Sequence, residues 1–144
     1  MKVLLDTSVL VAAMVEAHPH HQEALPWLQR ARRGELTAVV ASHTLAELYA
    51  VLTSLPVRPR ISPSTAWHLI QENVLTTMEV VDLSTEDYRA VLEHLSTSSI
   101  AGGITYDALI SHAALKAAAE QLVTLNPAHF RRIHPALSKQ IVSP

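Results

Sequence analysis

Cysteine is missing altogether from the 144 residues, which excludes disulfide staples, thiolate zinc sites and a cysteine nucleophile. Glycine appears only three times, and no repeat or low-complexity stretch is visible. No apolar run approaches the roughly 18 residues that a membrane span requires. No signal peptide is expected in this stretch either, because Met1-Lys-Val-Leu-Leu-Asp6 puts an acid where an unbroken apolar core is needed. The chain is expected to be soluble and cytoplasmic, with no membrane association. There is also no excess of positive charge. The net charge is −2 with nine neutral histidines, whereas a non-specific nucleic-acid binder is expected to be basic overall. Any attraction for nucleic acid must then be local, from helix N-termini, a bound cation or small basic clusters. Such clusters stand at Arg30, Arg32 and Arg33, at Arg58 and Arg60, and at Arg131 and Arg132. Each taken singly reads as a solvated patch.

What is present is a core. An apolar fraction of 49% against 17% charged residues is the opposite of a disordered composition, and the length fits one domain over residues 1–144. Val3-Leu4-Leu5 is a short apolar run without polar alternation, as expected for a strand buried on both faces. Similar runs recur at Ala38–Ala41, at Val80-Val81 with Leu83, and at Leu122–Leu125. Helical stretches lie between them, at about 8–15, 20–33 (closed by Gly34), 43–54, 63–75, 84–97 and 105–119. Ser62-Pro63 supplies an N-cap and first-turn proline, and Ser84-Thr-Glu-Asp87 opens the next helix. Strands alternating with helices imply a parallel sheet of four or five strands, covered by helices on both faces.

In such a sheet, sites form outside the carboxyl ends of the strands. Asp6 follows the first strand directly, and Glu47 lies in the first turns of the helix after the second. Asp107 lies in the first turn of the alanine-rich helix, and Asn126 follows the last run. Capping offers a local explanation for each. Asp6 can cap the helix near Ser8, Thr44-Leu-Ala-Glu47 fits a capping box, Asp107 can complement a helix dipole, and Asn126-Pro127 reads as an N-cap with a first-turn proline. Capping does not, however, require the acids to gather at one rim. Carboxylates held together repel and call for a cation, and hard oxygen ligands without cysteine select Mg²⁺ or Mn²⁺.

The same segments carry a family resemblance. Val-Leu-Leu-Asp6-Thr-Ser-Val-Leu, Thr-Leu-Ala-Glu47-Leu, Thr-Tyr-Asp107-Ala-Leu-Ile and Leu-Val-Thr-Leu-Asn126-Pro-Ala-His-Phe resemble PIN-domain nucleases, more narrowly the VapC-type toxins of bacterial toxin–antitoxin pairs. The match runs from residue 3 to about 131 in the right order. The resemblance implies a PIN-like fold and a Mg²⁺-dependent endoribonuclease acting on RNA, usually a homodimer, silenced by a small cognate antitoxin. The family often has a fourth acid where this chain has Asn126, and no Asp or Glu follows Glu120.

On this reading Asp6, Glu47 and Asp107 are the catalytic and metal-binding residues, with Mg²⁺ as cofactor and Mn²⁺ as its substitute. Thr7, Ser8, Thr124 and Asn126 are expected to position water or substrate, with local capping the alternative for the hydroxyls. His18, His20 and His21 crowd a helix entry around Pro19 and read as a solvated helix start rather than a zinc site. His112 lies about 140° around its helix from Asp107 and is placed outside the site. Trp27, Trp67, Tyr49 and Phe130 are read as core or partner-contact residues. Aspartyl-phosphate chemistry suits the topology but lacks a partner acid two residues after Asp6. A non-catalytic RNA- or protein-binding module is the other alternative, and the missing fourth acid argues for it.

Overall fold

The computed structural model describes residues 1–144. Strand β1 (Lys2–Leu5) leads into α1 (Thr7–Met14) and α2 (His21–Arg32), then β2 (Thr37–Ala41) and α3 (Ser42–Ser54). After a proline- and arginine-rich connector at 55–62 come α4 (Pro63–Ile70), continued by a π-helical turn at Gln71–Leu75, and β3 (Glu79–Val81). The remainder is α5 (Thr85–Thr97), α6 (Ile104–Lys116), β4 (Gln121–Val123), α7 (Pro127–Ile133), a 3₁₀ turn at Pro135–Leu137 and β5 (Ile141–Val142). All five strands are parallel, in the order β3-β2-β1-β4-β5.

Alternate strand residues enter two different cores, which is why the strands read as unbroken apolar runs. Val3, Leu5, Ala38, Val40 and Val123 pack with Leu10, Leu48, Leu52 and Ile70 from α1, α3 and α4. Leu4, Val39, Ala41 and Leu122 pack with Ile110, Ala113 and Phe130 from α6 and α7. A smaller cluster of Val91, Leu95, Leu109 and Ile133 joins α5 to α6 and α7. Each fully buried Leu or Phe contributes about 1.5–3 kcal/mol through removal from water.

Local signals set several boundaries. Ser62 Oγ accepts the Thr65 N–H, capping α4. Ser84 and Asp87 form a reciprocal capping box at α5. Asp87 also receives Lys116 Nζ at 2.6 Å and lies 3.0 Å from His112 Nε2, so it ties α5 to α6. His112 thus serves this junction. The Arg30–Arg33 cluster sits just before β2, at the amino edge of the sheet. There Arg30 and Arg33 pair with Glu35, and Arg32 donates to Asn73.

The strand order decides where a site can form. The chain proceeds from β1 outward to β2 and β3, then returns to place β4 on the other side of β1. At that reversal the two outgoing connections diverge, leaving a crevice at the carboxyl ends of β1 and β4. Asp6 and Thr124 are the residues directly following those two strands.

Candidate active site

A cavity of about 300 Å³ opens at this crevice. It is lined by Asp6, Thr7, Ser8, Val11, His18, Glu47, Val51, Leu55, Asp107 and Asn126. The structure therefore brings together Asp6 from the end of β1, Glu47 from α3, Asp107 from α6 and Asn126 from the start of α7. No lysine or arginine is among the lining residues.

Asp6 is 2% exposed. Its Oδ2 accepts the hydroxyls of Ser8 and Thr124, both at 2.7 Å. Those hydroxyls accept in turn: Ser8 Oγ takes the Leu125 N–H at 3.1 Å, and Thr124 Oγ1 takes the Asn126 N–H at 2.9 Å. Thr7 Oγ1 donates to Thr44 Oγ1 at 3.1 Å, joining α1 to α3 inside the protein. The hydroxyls expected to face water or a phosphate are thus engaged internally. Ser8 and Thr124 orient Asp6 and stitch the end of β4 to the start of α1.

The capping readings fare differently in the structure. Asp6 and Asn126 occupy N-cap positions, yet neither side chain makes a capping hydrogen bond. Helix α3 begins at Ser42, so Thr44 and Glu47 lie inside it and form no capping box. Thr44 is buried against Thr7 instead, and Glu47 is displayed to the cavity. Asp107 does lie in the first turn of α6, as the dipole reading requires, where Gly103 holds the N-cap position, and it also lines the cavity.

The electrostatics are those of crowded acids. Burial pushes the Asp6 carboxyl up, its two hydroxyl donors pull it back, and nearby Asp107 adds repulsion. Glu47 is pushed up to about 7, by burial first and then by Asp6 and Asp107. Two histidines stand beside the acids. His129 Nδ1 lies 2.9 Å from Asp107 Oδ2. His43 Nε2 lies 2.9 Å from Glu47 Oε1, one helical turn away, without hydrogen-bond geometry. Both of these atoms are buried and unpartnered.

Sequence reading did not find His43, His129 or His18 at this site. His43 was legible in principle, as an i,i+4 neighbour of Glu47. His129 was not, because only the docking of α7 on α6 brings it to Asp107.

The donor set suits a hard divalent cation. Three carboxylates from separate elements face one cavity, and Glu47 Oε1 is buried without a partner, which is costly for an ionised oxygen lacking a counter-charge. No three Asp, Glu or His side chains are yet gathered closely enough to enclose an ion. His129 engages only Oδ2 of Asp107, leaving Oδ1 toward the cavity, so enclosing an ion requires the acids to draw closer without breaking that bond. A second hollow of about 310 Å³, around Ala114, Leu122 and Ile141 at the opposite edge, has Glu120 as its only ionisable group.

A doubly covered parallel sheet with a carboxylate cavity at its switch point is the architecture of an α/β protein with an acid-built site. The model of the PIN domain family matches residues 3–134. Ribonuclease VapC40 of Mycobacterium tuberculosis is 35% identical over 119 residues, covering 83% of this chain and 82% of that protein. The crystal structure of VapBC2 from Rickettsia felis, bound to a DNA fragment from their promoter, matches with a TM-score of 0.69 at 22% identity. That match covers 100% of this chain and 99% of that one. VapC20 of Mycobacterium tuberculosis, a sarcin–ricin loop cleaving toxin, matches with a TM-score of 0.66 at 16% identity, over 83% and 86% of the two chains. The chain belongs to the PIN-domain family, in its VapC-type branch. No helix is long and apolar enough to cross a membrane.

Proposed function

We propose that this protein is a Mg²⁺-dependent endoribonuclease and the toxin of a toxin–antitoxin pair. The observation that carries the reading is the cavity itself: three carboxylates converge with no lysine or arginine among its lining residues. The balancing charge must come from a cation or from a partner's side chain. The name ribonuclease, carried by the relatives in sequence, supports the substrate class.

Asp6 and Asp107 would hold the cation, with Glu47 as third ligand or as base, and Mn²⁺ would substitute for Mg²⁺ as another hard ion. When bound, Mg²⁺ lowers the pKa of a coordinated water and offsets charge on the phosphate. The protein's own contribution is orientation. Ser8 and Thr124 fix Asp6 through Oδ2, and His129 fixes Asp107 through Oδ2. Glu47, with a carboxyl near neutrality, suits the transfer of a proton from attacking water. The Asn126 side chain, free of capping, can hold a water or a phosphate oxygen at the rim.

The antitoxin reading rests on the same charge deficit. An arginine or lysine from a partner's tail would satisfy the acids, while Val11, Val51 and Leu55 on the cavity wall would take apolar neighbours. The outer surface of α3 and α4 is the expected seat for an amphipathic segment. A homodimer is expected as well. Tyr88 and Leu92, one turn apart on α5 and 40% and 54% exposed, are apolar surface available for it.

The test is cleavage of single-stranded RNA by purified protein with Mg²⁺ or Mn²⁺. Activity is expected to vanish with EDTA and with Asp6→Ala, and to be silenced by the product of a small adjacent reading frame. Cleavage that survives both EDTA and Asp6→Ala would overturn the assignment, and metal binding without any cleavage would leave a binding module.

A further inference from the structure

Beside the acid cavity lies a second, shallower hollow of about 290 Å³, lined by His43, Ala46, Glu47, Ala50 and Tyr106. Glu47 lines both, so the two spaces meet across its side chain. The hollow is mostly apolar and has a flat aromatic wall. The rings of His43 and Tyr106 are parallel within 4°, with centroids 5.1 Å apart, an offset-stacked arrangement. Tyr106 immediately precedes Asp107 on α6 and is nevertheless 54% exposed. His43, four residues before Glu47 on α3, supports it from behind. Helices α3 and α6 each carry one acid of the cavity, so the same two helices hold the acids and the ring pair in fixed relation.

We propose that Tyr106, backed by His43, is a stacking subsite for one unpaired nucleobase of the RNA, next to the phosphate held over Asp6, Glu47 and Asp107. This rests on the nuclease reading above. A large aromatic ring kept in water has no core to serve, and its stacking partner holds it in one orientation instead of letting it collapse onto the surface. Small Ala46 and Ala50 leave room over α3 for a flat ligand. A base is the group a single strand would present there, because splayed bases stack on aromatic faces while the scissile phosphate would sit at the cation that the acids hold. The subsite tolerates every base, since each has a π-face. It would place the strand by position, leaving sequence choice to other contacts.

The experiment measures kcat/KM for short single-stranded RNAs carrying an abasic sugar at each position in turn. With the unmodified protein, loss of the base at one position beside the cut is expected to cost roughly tenfold, within the range of base–aromatic stacking. Tyr106→Ala should cost about the same on intact RNA and nothing further on that abasic RNA, because each change removes one half of one contact. Tyr106→Phe should retain most of the activity, and Tyr106→Leu, which keeps bulk without the ring, should behave like Tyr106→Ala. Losses that simply multiply, or a Tyr106→Ala protein within twofold of the unmodified one, would overturn the subsite and leave the nuclease standing. If the unmodified protein cleaves none of these RNAs, the nuclease reading falls and the subsite with it. If Tyr106→Ala instead converts a dimer to monomers without selective loss at one base, the hollow is a contact between copies.

Discussion

His129 Nδ1 holds Asp107 Oδ2 at 2.9 Å across 22 residues of sequence, linking α7 to the acid on α6. Carboxylates that bind metals are themselves hydrogen-bonded by outer groups, whose loss typically costs about 10–100-fold in affinity. His129 is half exposed, so the lower end of that range applies. His129→Ala is expected to weaken Mn²⁺ binding roughly tenfold in calorimetric titration. Tighter binding in that variant would show that the histidine competes with the ion.

Asn126 lines the cavity and makes no capping hydrogen bond with its side chain. Asn126→Ala should therefore cost well under the ~1 kcal/mol of a lost cap. Asn126→Asp adds a fourth carboxylate. It should tighten Mn²⁺ binding, and in EDTA it should lower the melting temperature through like-charge repulsion. Unchanged affinity on Asn126→Asp would remove this residue from the metal site.

Thr124 is fully buried, donating to Asp6 and accepting the Asn126 N–H. Thr124→Val keeps the shape and deletes both bonds. It leaves a buried carboxylate and an N–H short of partners, for an expected loss of about 1–3 kcal/mol in urea unfolding. A melt indistinguishable from that of the unmodified protein would show that water replaces the hydroxyl.

Glu47 sets a pH dependence of definite sign. Its folded pKa is raised to about 7 from 4.5, so the folded protein binds the proton more tightly than the unfolded chain does. The associated stability is complete below pH ~4.5 and is lost as pH rises toward 7. His134, lowered by burial and by its neighbours His94 and His112, acts in the opposite sense, with stability lost as pH falls below 6.5. The difference in melting temperature between unmodified protein and Glu47→Gln in EDTA isolates the carboxyl. That difference is expected to favour Glu47→Gln increasingly from pH 5 to pH 8. A difference flat across this range would mean that Glu47 titrates as an ordinary exposed acid.

The strands β1, β2 and β4 were legible because each is buried on both faces, which leaves an unbroken apolar run. The ends of the first two at Leu5 and Ala41 then located Asp6 and Glu47 at the rim, whereas the last run, read to Leu125, ends at Val123 and makes Thr124 the residue directly after it. Strand β5 was not readable as a strand, since two residues, Ile141 and Val142, carry no periodicity. The capping box read at Thr44–Glu47 failed for a local reason. Helix α3 starts directly from β2 at Ser42, three residues before a Thr44 cap would allow, so Thr44 and Glu47 lie within the helix and Glu47 is left to line the cavity. The helix read over 63–75 ends in a π-helical turn, where the Asn73 side chain bonds the Leu69 carbonyl and receives Arg32.

Sequence by itself determined the two-sided core, the alternation of strands and helices, and the identity of the acids that could share one edge. Those follow from burial and from strand and helix periods, which are properties of short segments. Tertiary structure decided which distant groups face those acids. The return of β4 beside β1 hands Thr124 to Asp6, the docking of α7 hands His129 to Asp107, and the approach of α6 to α3 stacks Tyr106 on His43. Each pairing joins residues 22 to 118 positions apart, and such contacts depend on how elements pack rather than on any local pattern.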